Sequence, residues 1–315
     1  MRKAKPKAET RADAGEPLYS GRVTNPVELN RLIDDIGELA VLPQVVAKVL
    51  ELSSEPTACA TDFDRAISVD PGFTARILKL ANSAYYGLPR RVGVIRDAVV
   101  LLGVKEVRCL ALAATGFDLF VGKSDRDSLV KREMWRHSVY TASAARAIAQ
   151  TVPGVQSEEA FVTGLLHDIG KSVALRALRQ EFMDTLDRAQ AAHLSFFEGE
   201  QQTMRYSHTD LGAAVMMKWN LPRRLTEAVA CHHEPERATE NPTLTAAIAV
   251  ADSIINFLAA QDGTDGGELV EDLSEMRIAP KAMEVLNMDH AGLFRAVVEC
   301  ASHVSSAAAL YSVAA

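Results

Sequence analysis

Gly164-Leu165-Leu166-His167-Asp168-Ile169-Gly170-Lys171 places an imidazole and a carboxylate side by side inside an apolar helical run. Burying an unpaired carboxylate costs several kcal/mol, at about the scale that would disrupt a core. A divalent cation removes that cost, because imidazole nitrogen and carboxylate oxygen both bind one at about 2.0–2.2 Å. A His-Asp dipeptide alone is a weak signal, since an exposed pair at a helix end reads the same. Its company decides.

Further along the chain the same residue types recur at positions that apolar periodicity makes helical. Glu133 and His137 are four apart and share a helix face. His208 opens Ser207-His208-Thr209-Asp210-Leu211-Gly212, and His232-His233-Glu234 closes a helix whose apolar face is Leu225, Ala228 and Val229. Asp252 lies in the apolar run 246–255, where a carboxylate needs a partner. Five of the eight histidines fall in this set. One such histidine is by default a satisfied core residue. Five, with Asp168, Asp252 and Glu133, point to metal ligation. His193, His290 and His303 lie outside the set and are assigned ordinary roles.

The frame around these residues is helical. Helices are predicted from Pro43 through Leu52, then with Thr61 or Asp62 as cap, from Asp70-Pro71 through Leu80, over Ile95–Leu102 ended by Gly103, and over Val104–Phe117. They continue at about 129–151, 158–175, 177–192, 209–218, 223–232 and 243–260, with two or three more in 268–315. Nothing alternates as a β-hairpin would, and no internal repeat is seen. Residues 1–25 are polar and charged and read as a disordered tail. Residues 26–122 read as an N-terminal helical subdomain, 123–260 as the metal-binding core, and 261–315 as a Gly/Asp linker with C-terminal helices. The segment 121–128 is a polar break between the first two. Asn82 is expected to satisfy backbone at a helix end, Tyr85 and Tyr86 to pack at the junction, and Trp135 and Trp219 to be core.

Composition narrows the function. A net charge of −7 over 315 residues argues against a general nucleic-acid binder, which needs an excess of Lys and Arg. The four cysteines form no C-x-x-C pair and read as small buried hydrophobes in a reducing compartment. The basic start lacks an apolar signal region, and no apolar run is expected to reach the roughly 18 residues of a membrane span. A cytoplasmic protein without membrane contact is therefore expected.

The order His137, His167-Asp168, Asp252 resembles the H…HD…D signature of the HD superfamily of metal-dependent phosphohydrolases. His208 and His232-His233 resemble the HD-GYP branch, whose sites hold two or three metals, and Glu133 is similar to a ligand of the three-metal members. Pro235-Glu236-Arg237-Ala238 stands where that branch carries its Gly-Tyr-Pro motif. In the N-terminal half, Leu42-Pro43, Asp70-Pro71, Leu78-Lys79-Leu80-Ala81-Asn82-Ser83-Ala84-Tyr85-Tyr86 and Ala98-Val99-Val100-Leu101-Leu102-Gly103 resemble the HDOD family, the HD-related output domain of bacterial signalling proteins.

The combined resemblance runs from about 30 to 260. It implies an all-α fold in which an N-terminal helical bundle packs on an HD-like core. It also implies a signalling output role, with a protein partner of unknown identity, a possible homodimer, and either hydrolysis of a nucleotide-like phosphoester or a metal used only for structure. His137, His167, Asp168 and Asp252 would hold one metal. His208, His232 and His233 would hold a second with Asp168 bridging, and Glu133 would hold a third or orient a ligand. Lys171 is expected either to donate to a phosphate oxygen beside Asp168 or to be a charge at a helix C-terminus. Mixed imidazole and carboxylate ligands suit Fe, Mn or Zn, and the HD-GYP resemblance favours Fe or Mn.

Overall fold

The computed structural model describes residues 18–20, 23, 25–35, 42–120, 127–261 and 272–314. Most of the expected tail, the polar break 121–126 and the linker from 262 lie outside them. The described residues form helices and loops only, sixteen α-helices in all.

The first six are α1 (Pro26–Asp35), α2 (Gln44–Ser54), α3 (Ala60–Ile67), α4 (Pro71–Ala81), α5 (Ile95–Leu102) and α6 (Val104–Phe120). Local chemistry sets their ends. Asp70 caps α4 by accepting from the Phe73 amide, and Pro71 occupies the first turn, where its missing N–H is not needed. Gly103, at φ 87°, lets the chain turn sharply between α5 and α6. Cys59, rather than Thr61 or Asp62, precedes α3, and the Asp62 carboxylate accepts from its amide. This makes Cys59 exposed, whereas Cys109, Cys231 and Cys300 are buried as expected. The Asn82 side chain donates to Leu78 O and Val92 O and accepts from Val92 N, pinning the loop after α4.

The remaining helices are α7 (Ser128–Thr151), α8 (Ser157–Leu166), α9 (Ile169–Ala177), α10 (Arg179–Ala191), α11 (Phe196–Thr203), α12 (His208–Lys218), α13 (Arg223–Cys231), α14 (Pro242–Ala260), α15 (Pro280–Val285) and α16 (His290–Ala314). α7 is the axis. Its 24 residues carry a buried small-residue face (Ala142, Ala144, Ala145, Ala147, Ala149) on which α8, α14 and α16 pack. Gly164 is the contact that lets α8 in: a Cβ there would lie 2.8 Å from the Ala142 Cα. α6 packs on α7 and α8, which joins the first six helices to the core.

Four expectations need correction. The stretch 158–175 is not one helix, because α8 ends at Leu166 and α9 begins at Ile169. A helix, α11, stands where none was expected. Residues 18–20, placed in a disordered tail, lie against the core: Ser20 donates from N and Oγ to Asp210 at 2.7 and 2.9 Å, and Arg237 donates to Tyr19 O at 2.9 Å. α14 is also long and apolar enough to cross a membrane, contrary to the expectation that no stretch is, but it is packed inside the protein.

Candidate metal centre

Neighbouring residues on a helix point about 100° apart, so His167 and Asp168 could not both face one point from a continuous helix. The break between α8 and α9 falls on these two residues and turns both inward. His232 and His233 repeat the device just past the end of α13. His137 comes from the middle of α7, His208 from the first turn of α12, and Asp252 from the middle of α14. His167 and His208 have no exposure, and Asp168, His232 and Asp252 have 2, 2 and 6%.

The closeness of α9 and α12 brings the two halves together. A Cβ at Gly170 would sit 1.8 Å from the His208 carbonyl oxygen, so only glycine fits there. In the first half, His137 Nε2 is 3.2 Å from His167 Nε2 and 3.0 Å from Asp252 Oδ1. Asp168 Oδ2 lies 3.3 Å from His167 Nε2 and 3.5 Å from His137 Nε2. In the second half, His208 Nε2 is 3.4 Å from His232 Nε2 and 3.2 Å from His233 Nε2. The other oxygen of Asp168, Oδ1, lies 3.3 Å from His208 Nε2, so this carboxylate stands between the halves.

The rings are oriented from behind. His167 Nδ1 donates to Gly164 O at 2.6 Å and His232 Nδ1 to Val229 O at 2.8 Å. His208 Nδ1 donates to the Glu200 carboxylate at 2.6 Å, and Glu200 also accepts from the His208 amide at 2.8 Å. Those acceptors fix the tautomers and leave an Nε2 lone pair facing inward on each neutral ring. Two lone pairs, on His208 and His232, then confront each other at 3.4 Å, with the buried Asp168 Oδ1 beside them lacking a hydrogen-bond donor. This arrangement is repulsive unless a cation lies among them. The spacings also suit an ion: donors about 2.1 Å from a common metal are about 3.0 Å apart at right angles and about 3.4 Å apart at tetrahedral angles. The residues present therefore fit a divalent metal.

Electrostatics differ across the site. Burial disfavours charge on His167, but Asp168 and Asp252 overcome it and push its pKa up to about 10. Burial likewise works against both carboxylates, yet His167 and Lys171 beside Asp168, and His137 and His167 beside Asp252, hold them well below the usual range. His232 is held well below the ordinary histidine value, and His233 is lowered to about 3, by burial first and then by the surrounding rings.

Glu133 stands apart. Its side chain is half-exposed, pairs with Arg136 at 2.5 Å and belongs to none of the candidate ligand groups among the described residues. Lys171 sits 2.7 Å from Asp168 Oδ2 and lines a cavity of about 710 Å³ that also touches His232, His233 and Asp252. Sequence reasoning missed Glu200, Asn256, which donates to Asp252 Oδ1 at 2.8 Å, and Phe197, which stacks on His233 with ring centres 4.5 Å apart. Asn256 was findable, being one helical turn after Asp252. Glu200 gave a fainter signal, an acid inside the short helix before His208. His193, given an ordinary role, lines the cavity wall.

The HDOD domain profile matches residues 39–235. The chain belongs to the HDOD family. An HDOD domain protein of unknown function from Geobacter sulfurreducens superposes with a TM-score of 0.72 at 25% identity, over 91% of this chain and 97% of that one. A candidate phosphohydrolase from Shewanella amazonensis SB2B gives 0.68 at 24% identity, over 89% and 97%. An uncharacterised protein of Treponema pallidum is 26% identical over 232 residues, 72% of this chain and 43% of its own length. The HDOD chain thus spans less than half the length of the curated relatives it matches.

Proposed function

We propose that this HDOD protein is a signal-transduction output protein with a dinuclear metal centre that hydrolyses a phosphoester bound in the adjoining cavity. The observation that carries the reading is the Asp168 carboxylate, with one oxygen 3.3 Å from His167 and the other 3.3 Å from His208. His137, His167, Asp168 and Asp252 would hold one ion, and His208, His232, His233 and Asp168 the other. Bound divalent ions supply electrophilic assistance to a phosphoryl group and make water at the site more acidic. Imidazole with carboxylate suits Mn, Fe and Zn, with Mn or Fe favoured by the resemblance of the ligand order to HD-GYP sites.

The chain's own residues orient and enclose. Gly164 O, Val229 O and Glu200 aim the imidazoles, and Asn256 holds Asp252. Lys171 faces the cavity beside Asp168, where its ammonium can bind a phosphate oxygen. Phe196 and Phe197 wall one side and limit water.

Elemental analysis after Mn²⁺ reconstitution, paired with phosphate release from mono- and diester nitrophenyl phosphates, tests this. Two ions per chain and Mn²⁺-dependent turnover are expected, with Asp168→Asn losing both. One ion or none in the wild type would sink the dinuclear reading. A second reading, a structural metal in a module that binds a partner protein, draws support from Val69 and Val100, apolar side chains 75 and 71% exposed on the N-terminal half. Two bound ions without turnover on any phosphoester would favour it.

A further inference from the structure

A second cavity, of about 420 Å³, lies between the first six helices and the core, away from the histidines. Its size is that of a small-molecule pocket, and its wall is mainly apolar, with Leu50, Leu112, Val162, Trp219 and Leu225 among the lining. The charges in that wall are unequal. Glu159 is closed by a bidentate ion pair with Arg224, and Glu51 by Lys48 at 2.9 Å. Arg108 also lines the cavity and has no carboxylate partner among the described residues. Trp219 is 6% exposed, and its indole N–H is buried without an acceptor. A cationic fork in an otherwise apolar wall calls for an anionic acceptor.

The cavity is tied to the metal centre by three rods. α8 presents Glu159 and Val162 to the cavity and leads into His167 at its other end. α13 presents Arg224 and Leu225 and leads into His232 and His233. α12 runs the opposite way, beginning at His208 and ending at Trp219. Helices of 10, 9 and 11 residues span about 14–17 Å. Packed helices move as units, so a change in spacing at one end alters ligand spacing at the other.

We propose that this junction cavity is an effector site for a small amphipathic anion, an apolar body carrying one acidic group, and that its occupancy changes metal affinity at the histidine centre. The second clause rests on the metal reading above, and the first does not.

The probe is 8-anilinonaphthalene-1-sulfonate, an aromatic body with one sulfonate, titrated by fluorescence against the full chain with and without saturating Mn²⁺. One saturable site is expected, weakened about tenfold or more by Arg108→Gln. Ala47 is exposed and lines the cavity, so Ala47→Trp fills it from outside without touching the core and should abolish binding at unchanged melting temperature. Mn²⁺ and probe should shift each other's Kd by one common factor, as linkage requires. Probe binding indifferent to both substitutions overturns the site. Binding at the site that leaves Mn²⁺ affinity unchanged overturns the coupling. Absence of Mn²⁺ binding strikes the metal reading instead, and the metal-free titration tells the two failures apart.

Discussion

The two halves of the histidine centre are built from similar parts and behave differently. The half around His137, His167 and Asp252 is rich in carboxylate, and a proton on His167 is so well satisfied that its pKa rises to about 10. The half around His208, His232 and His233 has three rings, and two of them resist protonation, one down to about 3. A proton can therefore stand in for a cation in the first half. In the second, His232 and His233 resist one, and His208 and His232 bring their Nε2 atoms to 3.4 Å with the opposite ring nitrogens already committed to acceptors. The second half needs the ion more, and its geometry depends more on what holds the rings from behind.

The comparison is most exposed to attack at the seam. Gly170 allows α9 to touch α12, and a methyl group there must displace the His208 backbone. Gly170→Ala should cost about 3 kcal/mol or more in urea unfolding, the upper range of overpacking effects, and should separate His208 from Asp168. A loss under about 1 kcal/mol would mean the seam is soft and the halves are not held in register by it. Gly212→Ala is the milder control, since its Cβ would press on a side-chain methyl of Val229 at 3.0 Å and meet the Gly170 backbone at an ordinary 3.5 Å.

The next test separates the halves. Glu200 is fully buried and holds His208 through both its ring and its amide, whereas the group behind His167 is a backbone carbonyl, Gly164 O. Glu200→Gln should weaken one class of Mn²⁺ site about 10- to 100-fold and leave the other unchanged in calorimetric titration. Equal weakening of both sites would show that the halves act as one unit.

How far these features could be read in advance follows from what kind of signal each leaves. The all-helical frame and the gathering of His137, His167, Asp168, His208, His232, His233 and Asp252 were visible because buried polar residues interrupt apolar periodicity. The break between α8 and α9 was not, because the apolar pattern runs through it, and only the need to aim His167 and Asp168 together demands it. Glu200 lies in α11, eight residues long and with an acidic, glutamine-rich sequence that resembles a surface loop. Its meaning is tertiary: it becomes a buried acceptor only when α12 arrives. Glu133 shows the reverse failure, since sharing a helix face with His137 placed it near the centre in sequence but could not say how far along the axis the centre lies.

On the far side of the centre, Glu227 links the helices that carry Asp252 and His232. From α13 it accepts from Thr239 N and Oγ1, Glu240 N and Asn241 N, at 2.7–3.1 Å, just before α14 begins. Burial alone would raise its pKa, but those amide donors outweigh it and hold the pKa below the ordinary value. A depressed carboxylate contributes stability that is present above its unfolded value of about 4.3 and is lost as pH falls through the folded value. Glu227→Gln should therefore cost about 1–2 kcal/mol at pH 7, and the gap from wild type should close as the medium is acidified below pH 4. A gap independent of pH would show that the amide donors do not need the charge.

The smallest effect belongs to Glu133, and it bears on how many ions the comparison must cover. A third ion would need this carboxylate turned inward beside His137. Instead it is half in solvent with Arg136 at 2.5 Å, one helical turn from His137, which is occupied with His167 and Asp252. An exposed i, i+3 ion pair is worth at most about 0.5 kcal/mol and is screened by salt. Glu133→Gln should thus change stability by less than that and leave two ions bound per chain with unchanged affinities. Loss of an ion in this variant would mean that the outer turn of α7 swings inward when metal binds. The first half would then be the larger and more adaptable of the two, and His137 would mark its middle rather than its edge.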